Sequence, residues 1–416
     1  MAPRPAFRSR ARRAAGASAR TMRRLRWVWP LPLAAFLILV PWALHSSRPA
    51  RSVAIVVVDK TVPFPTYVEH RSLFWLLEHL KIEKREGGPY DPARDYLGAF
   101  PGAQPGEPPS RTVDLDEATA RAAELLYLAD TYGVYEEDLA SGPAMKAALE
   151  RSRKIYGGLE MEEARAVLAA LEAGATVVAE FNTLGSPTPP AARSVLEQAL
   201  GVRSTRWIGR YFPRLEDPEE VPGWLRRDWE REWSARWEFE GPGYVLIQED
   251  AHCEVLRPGF EVRTVGLTLE RERPVDPLLV RARDGTSYPY WFDVVELGDG
   301  TELLASFVWH LEPAGRQALS RRGLPERFPA VTRRRFPSGG SSYYFAGDFA
   351  DNPLERARVP LAGYLEARAL GEALKVAPSE AAFYWRFYVP MMERLLASVG
   401  TRSSRSAPKT FGGGGR

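Results

Sequence analysis

The sequence predicts an α/β protein built on a mostly parallel sheet flanked by helices. Three observations carry this. Short apolar runs, the kind buried on both faces of a parallel sheet, recur at residues 53–58 (VAIVVV), 125–129 (LLYLA) and 175–179 (ATVVA). Amphipathic helical patterns lie between and after them, as at 161–172 (MEEARAVLAALE). The resulting strand–helix alternation is the order that parallel crossovers impose.

The chain begins with a different signal. Residues 1–26 hold nine arginines and no acid, and residues 27–44 carry no charge at all. Eighteen residues at about 1.5 Å each span roughly 27 Å, enough for a bilayer core. Trp27, Trp29 and Trp42 fall near the ends of that run, where indole rings suit the membrane interface. Residues 27–45 are therefore expected to be a transmembrane signal anchor and residues 1–26 a basic cytoplasmic leader. The positive-inside rule then places the main domain outside the cytoplasm, on a single-pass protein of the cell membrane. A cleaved signal peptide is the alternative, but no small-residue cleavage site is evident and the leader is long.

A short linker, 46–52, leads into a domain over 53–400. Residues 71–82 have apolar positions on one helical face, and 86–110, rich in Gly and Pro, is read as loop. The helix over 161–172 has acids in its first turn and Gly174 at its C-terminal end. A further helix is expected at 191–200. A Trp-rich insertion occupies about 203–300. Trp229, Trp233 and Trp237 share one helical face there, expected to be buried against the sheet. Further strand-like runs lie at 244–248, 278–282, 303–308 and 343–346. A closing helix at 383–399 is interrupted by Pro390, and residues 401–416 form a low-complexity, disordered tail.

Composition narrows the function. Without its leader the body is mildly acidic, which argues against nucleic acid as a partner. Cys253 is the only cysteine, so neither an intramolecular disulfide nor a Cys-rich zinc site can form. The five histidines do not cluster, and no nucleophile elbow, H-E-x-x-H motif or phosphate-binding glycine loop is present.

What stands out is that four apolar runs each end in an acid: Asp59, Asp130, Glu180 and Asp348. Ligands of open parallel sheets bind outside the carboxyl ends of the strands, so neighbouring runs would gather these acids on one rim. Asp59, Glu180 and Asp348 are the candidate catalytic acids, with Asp130, Tyr132, Asn182, His70 and Asp351 placed to orient a substrate. Gathered carboxyls suit glycosidic chemistry, where one is kept protonated and another ionised. A hard cation such as Ca²⁺ or Mg²⁺ is a second reason to gather acids, although no cofactor is required. The plain alternative is that strand ends stop at acids because turns begin there.

Residues 125–135 (LLYLADTYGVY), 155–159 (IYGGL) and 174–180 (GATVVAE) together resemble the class I glutamine amidotransferase-like fold superfamily, a flavodoxin-like architecture. Residues 328–348 resemble the hairpin near the end of such domains in sugar-processing relatives. The resemblance covers most of 53–400 outside the insertion. It implies a cysteine on a tight turn after a strand, and that position holds none, so no glutaminase triad carries over. Members without the cysteine are associated with carbohydrate metabolism. The expected function is thus an anchored, extracytoplasmic protein that binds or processes a cell-surface or exported polysaccharide, as a glycan hydrolase if it is an enzyme. The alternative is a non-catalytic envelope scaffold that binds a partner protein.

Overall fold

The computed structural model describes residues 30–104, 106–139, 152–249, 252–351, 360–374 and 382–400. The basic leader and the low-complexity tail lie outside the described residues. Contacts divide the chain into two units, one of residues 1–49 with 356–367, the other of residues 50–355 with 368–416.

In the first unit, helix α1 (Pro30–Ser46) leaves Phe36, Leu37, Ile38, Leu39 and Leu44 exposed. The Ala362 N–H donates to Pro41 O at 3.1 Å. At 17 residues the helix reaches roughly 25 Å. No helix among the described residues is long and apolar enough to cross a membrane. Residues 27–29 of the expected span lie outside them.

The second unit is a mixed α/β body with a large sheet flanked by helices. The strands of its two large sheets are β1 (Ile55–Asp59), β2 (Leu97–Phe100), β3 (Arg111–Val113), β4 (Leu125–Asp130), β5 (Thr176–Ala179), β6 (Val202–Phe212), β7 (Gly243–Gln248), β8 (Cys253–Leu256), β9 (Val262–Arg271), β10 (Thr286–Ser287), β11 (Phe292–Leu297), β12 (Thr301–Leu311), β13 (Arg327–Arg335) and β14 (Ser341–Phe345). Ten of them form one sheet in the order β10-β9-β12-β13-β14-β5-β4-β1-β2-β3. The five central strands, β14-β5-β4-β1-β2, are parallel. Taken in chain order they run 2-1-3-4-5, the doubly wound order in which ligands sit where the winding reverses, between β1 and β4.

The expectation of a mostly parallel sheet holds only for that centre. β3 and the four strands beyond β14 pair antiparallel. Connection length explains the β13–β14 step: the few residues between Arg335 and Ser341 make a hairpin, whereas a parallel pair needs a crossover of a dozen residues or more.

Helices α2 (Val68–His79), α3 (Glu117–Ala122), α4 (Met161–Glu172) and α5 (Pro190–Leu200) supply the cover. Leu73, Leu76 and Leu77 of α2, Val167 and Leu171 of α4, and Leu196 and Leu200 of α5 are all fully buried. Helix α4 starts at a capping box between Glu160 and Glu163, as its acid-rich first turn predicts.

The inserted segment builds a second, antiparallel sheet, β8-β7-β6-β11. Helix α6 (Gly223–Trp233) ends at Ser234, which adopts the left-handed conformation, so Trp237 is not on the helix at all. Trp229 and Trp237 pack on the core of this second sheet, formed by Phe212, Val245, Ile247 and Val255. Trp233 remains partly exposed, donating its indole N–H to Cys253 O at 3.1 Å. The expectation that all three tryptophans lie on one helix face is corrected accordingly.

Two further expectations change. The run 278–282 is not a strand. Pro277–Leu279 is a 3₁₀ turn, capped by the Asp276 side chain, which accepts the Leu278 N–H at 2.8 Å. The stretch read as loop at 86–110 contains β2. The closing helix is interrupted as expected: a π turn over Tyr384–Tyr388 precedes helix α7 (Val389–Ser398). Pro390 has no N–H for the carbonyl four residues back, and that carbonyl, Arg386 O, instead accepts from Arg283 N at 3.1 Å.

Candidate functional site

The site is built from the ends of four adjacent parallel strands and the loops that leave them. The ladder between β1 and β4 pairs Val58 with Leu128 and then Asp59 with Asp130, skipping Ala129. Each aspartate first serves its own turn. Asp59 Oδ1 accepts the Thr61 N–H at 2.9 Å, and Asp130 Oδ1 accepts the Tyr132 N–H at 2.7 Å. This two-residue reach is the turn chemistry expected of Asp. Thr61 Oγ1 then accepts the Gly133 N–H at 2.8 Å and joins the two loops.

The free ends of the two aspartates differ. Asp59 Oδ2 meets His70 Nδ1 at 2.5 Å, and His70 Nε2 meets Pro92 O at 2.8 Å. A carbonyl can only accept, so Nε2 carries a proton. A second proton must then lie between Nδ1 and Asp59, making the pair one acid–imidazole unit with no exposed surface. Asp130 has no such partner. Burial, and next the charge of Asp59, push its carboxyl up to about 7. Asn182 Nδ2 stands 3.5 Å from Asp130 Oδ1, and Asn182 itself holds a left-handed conformation at φ 68°.

Two glycine positions make this arrangement possible. Gly98 of β2 lies beside Asp59 with φ 132°, and a Cβ there would come within 1.7 Å of Asp59 O. Gly133 and Gly157 meet back to back, each occupying the space a Cβ of the other would need, which fixes the loop carrying Tyr132. Tyr132 stacks on Tyr135 with ring centroids 4.6 Å apart, and both rings are half-buried.

Glu180 is committed elsewhere. One carboxylate oxygen accepts from Tyr127 Oη, and the other accepts the N–H groups of Phe349 at 2.8 Å and Ala350 at 2.9 Å. Tyr127 in turn meets Tyr388 Oη at 2.9 Å. Glu180 thereby pins the chain beyond β14 and sets Asp348 and Asp351 on the rim. Burial raises its own carboxyl to about 8.

Asp348 and Asp351 complete the group. Burial first, then the charges of Asp351 and Asp130, drive Asp348 well upward. Burial raises Asp351 to about 6 against the opposing pull of Arg210 and Arg71. Asp59, Asp130, His70, Tyr132, Asn182, Asp348 and Asp351 are thus brought to one rim, with Glu180 beneath it.

Three residues outside the candidate set join them. Glu69, beside His70 on α2, is driven well upward by burial and by Asp59 and Asp351. Its sequence signal was adjacency to His70. Arg71 is the next residue along. Arg210 comes from β6 in the second sheet and lies over the rings of Phe212 and Trp291 at 5.2 and 5.6 Å. No sequence pattern places it here. Lys60 is turned away, bonded to Asp114 at 3.0 Å and Glu163 at 2.6 Å.

Among the described residues, no group of three or more His, Cys, Asp or Glu side chains has the arrangement to hold a metal ion. Two surface depressions of about 370 and 450 Å³, one beside Glu197, Arg203 and Arg334 and the other beside Thr205, Ser306 and Arg327, include none of the rim residues. Cys253 opens β8 in the second sheet, buried, with its thiol raised well above the ordinary range by that burial. No thiolate stands at the rim to act as a nucleophile.

No protein-family model matches the chain, and no curated protein matches it in sequence. Solved structures align over much of it. A cold-adapted β-galactosidase from Rahnella sp. R3 matches at 13% identity and TM-score 0.30, covering 78% of this chain, which spans only 32% of that enzyme. A cytoplasmic protein from Salmonella typhimurium matches at 8% identity and TM-score 0.34, covering 82% of this chain and 98% of its own. A ThuA-like protein from Bacteroides uniformis matches at 8% identity and TM-score 0.32, covering 73% and 85%. At these TM-scores none of them bears on what the chain does.

Proposed function

We propose that this is a membrane-anchored protein that binds or processes a cell-surface or exported polysaccharide at the carboxyl rim of its central sheet. The observation that carries the proposal is the pairing of unlike carboxyls at the winding reversal. Asp59 shares its proton with His70, while Asp130 beside it is held neutral until about pH 7. A carboxyl held neutral up to about pH 7 suits the general acid of glycosidic chemistry. Asp130 and Asp348 are the groups that reach the substrate, while Asp59, buried and bonded through both oxygens to Thr61 and His70, is a positioning residue. Glu180 is a positioning residue, since both of its oxygens are occupied. The stacked pair Tyr132–Tyr135 offers a surface for a sugar ring. The order of the central strands and the Gly157–Gly158 turn support a place in the amidotransferase-like superfamily, without its nucleophile. The arginine-rich leader and the exposed apolar side chains of α1 support the anchor.

The test is release of reducing ends from a panel of exported polysaccharides by the purified full chain between about pH 4 and 9. A bell-shaped profile, abolished in Asp130→Asn and Asp59→Asn, is expected. A second reading, a non-catalytic scaffold, is favoured by the turn hydrogen bonds that Asp59 and Asp130 also make. It predicts no turnover on any polysaccharide. Carbonate extraction tests the anchor: the full chain should stay with the membrane pellet, and release into the supernatant would remove that part of the proposal.

A further inference from the structure

We infer that the π turn over Tyr384–Tyr388 positions the chain between Asp348 and Asp351, through two hydrogen-bonded arms that meet on Ala350. The inference rests on the reading of the rim for its functional meaning, and its test is made without ligand so that each can fail alone.

The argument begins with the backbone of Ala350. Beyond β14 the chain leaves the sheet, so its buried N–H and C=O groups need partners other than a ladder. Side chains take both of them at Ala350. Its N–H donates to Glu180 Oε2 at 2.9 Å, beside the Phe349 N–H at 2.8 Å. The other Glu180 oxygen accepts from Tyr127 Oη, which lies 2.9 Å from Tyr388 Oη. That is the first arm. The Ala350 carbonyl accepts from Ser72 Oγ of α2, and the Ser72 carbonyl accepts from Tyr384 Oη at 3.1 Å. That is the second arm. Both therefore end on the π turn, at two tyrosines whose rings stack with centroids 5.4 Å apart.

The second observation is that the turn is fixed independently of the arms. The Val389 N–H reaches back five residues to Tyr384 O, the bond that defines a π turn. Pro390 offers no N–H to Arg386 O, which accepts from Arg283 N at 3.1 Å instead. The arms themselves are sealed from solvent: Ser72, Tyr127, Glu180, Ala350, Tyr384 and Tyr388 are all fully buried. Water cannot stand in for a hydroxyl removed there, and a buried network whose members are partnered is rigid. Asp348 and Asp351 flank the pinned pair Phe349–Ala350 directly, so they are set wherever the arms set that pair. Single π turns within α-helices lie frequently at functional sites.

The test is amide hydrogen exchange of the full chain, read by mass spectrometry on peptides covering residues 346–351 and, for comparison, strands β4 and β5. Tyr384→Phe and Tyr388→Phe each remove one hydroxyl from the π turn and keep the ring. Each should speed exchange at 346–351 by roughly tenfold, the scale of one lost buried hydrogen bond, and leave β4 and β5 unchanged. The double variant should exceed the product of the two, because either arm alone still holds Ala350. Ser72→Ala cuts the second arm without touching the turn and should reproduce Tyr384→Phe, which keeps the test decisive if a turn variant folds poorly. Unchanged exchange at 346–351 in both tyrosine variants would overturn the inference. So would an equal rise in β4 and β5, since the hydroxyls would then serve overall stability and not position. An effect of Ser72→Ala with none of Tyr384→Phe would end the arm at α2 and overturn the role of the turn. No saccharide enters the experiment, so failure of the polysaccharide assay leaves its result standing.

Discussion

Asp59 and Asp130 stand opposite each other at the ends of adjacent parallel strands because the ladder between them skips Ala129. Without that skip Asp59 would face an alanine. With it, two carboxyls share one level of the sheet at the point where the winding reverses, and the like charge of Asp59 adds to the burial that raises Asp130.

The first prediction is a stability effect that depends on pH. The Asp130 carboxyl titrates near 7 when folded and near 3.9 when unfolded. The folded state therefore binds the proton more tightly. Its contribution is complete below about pH 4 and lost as pH rises through 7, up to roughly 4 kcal/mol as an order of magnitude. Asp130→Asn cannot ionise. It should match the natural protein in thermal midpoint near pH 4 and exceed it by several degrees at pH 8, measured by thermal denaturation. An equal midpoint at pH 8 would show that Asp130 is not raised.

Glu180 gives a different outcome. Glu180→Ala leaves the Phe349 and Ala350 N–H groups and Tyr127 Oη without their acceptor and should cost about 2–4 kcal/mol in denaturant unfolding. Glu180→Gln keeps an acceptor for both N–H groups and should stay within about 1–2 kcal/mol. If Glu180 positions rather than reacts, the Gln variant keeps most of the ligand affinity. A Gln variant that folds normally but binds nothing would place Glu180 in contact with ligand instead.

Gly98→Ala is expected to be among the most damaging single methyl additions in the molecule. Its Cβ would collide with the backbone carbonyl of Asp59, and its φ of 132° disfavours any side chain. Loss of soluble folded protein, or of near-UV circular dichroism, is the expected readout. A native-like spectrum would mean that the β1–β2 edge can open without harm.

The two sheets are joined by a buried pair, Tyr344 Oη donating to Asp293, whose carboxyl burial raises to about 7. Tyr344→Phe removes the donor and leaves Asp293 buried without it. The expected cost is about 1–3 kcal/mol, larger at pH 8 than at pH 5 because the ionised form is the one that needs the donor. Denaturant midpoints at the two pH values check both size and sign.

The central sheet was legible because its strands are buried on both faces, so they read as unbroken apolar runs that end at acids. Asp59, Asp130, Glu180 and Asp348 could be named from that pattern alone. Strand β2 was not legible, since Leu97–Phe100 sits in a Gly- and Pro-rich stretch and uses Gly98 for close approach. The antiparallel extension was hidden for another reason: runs such as Leu303–Val308 show a strand but not its direction. The role of Glu180 depends on backbone N–H groups 169 and 170 residues away, and Arg210 reaches the rim from a separate sheet. Both are facts of tertiary packing that no local pattern encodes.

Asp130 at the rim should titrate well above the ordinary carboxyl range. The most direct measurement is a carbon-13 NMR titration of the Asp and Glu side-chain carboxyls in the full chain, from about pH 3 to 9. At least one resonance should have its midpoint near 7 and disappear in Asp130→Asn. If every carboxyl titrates between about 3 and 5, the ordinary range, the rim is a set of solvated turn residues and the functional reading built on it falls.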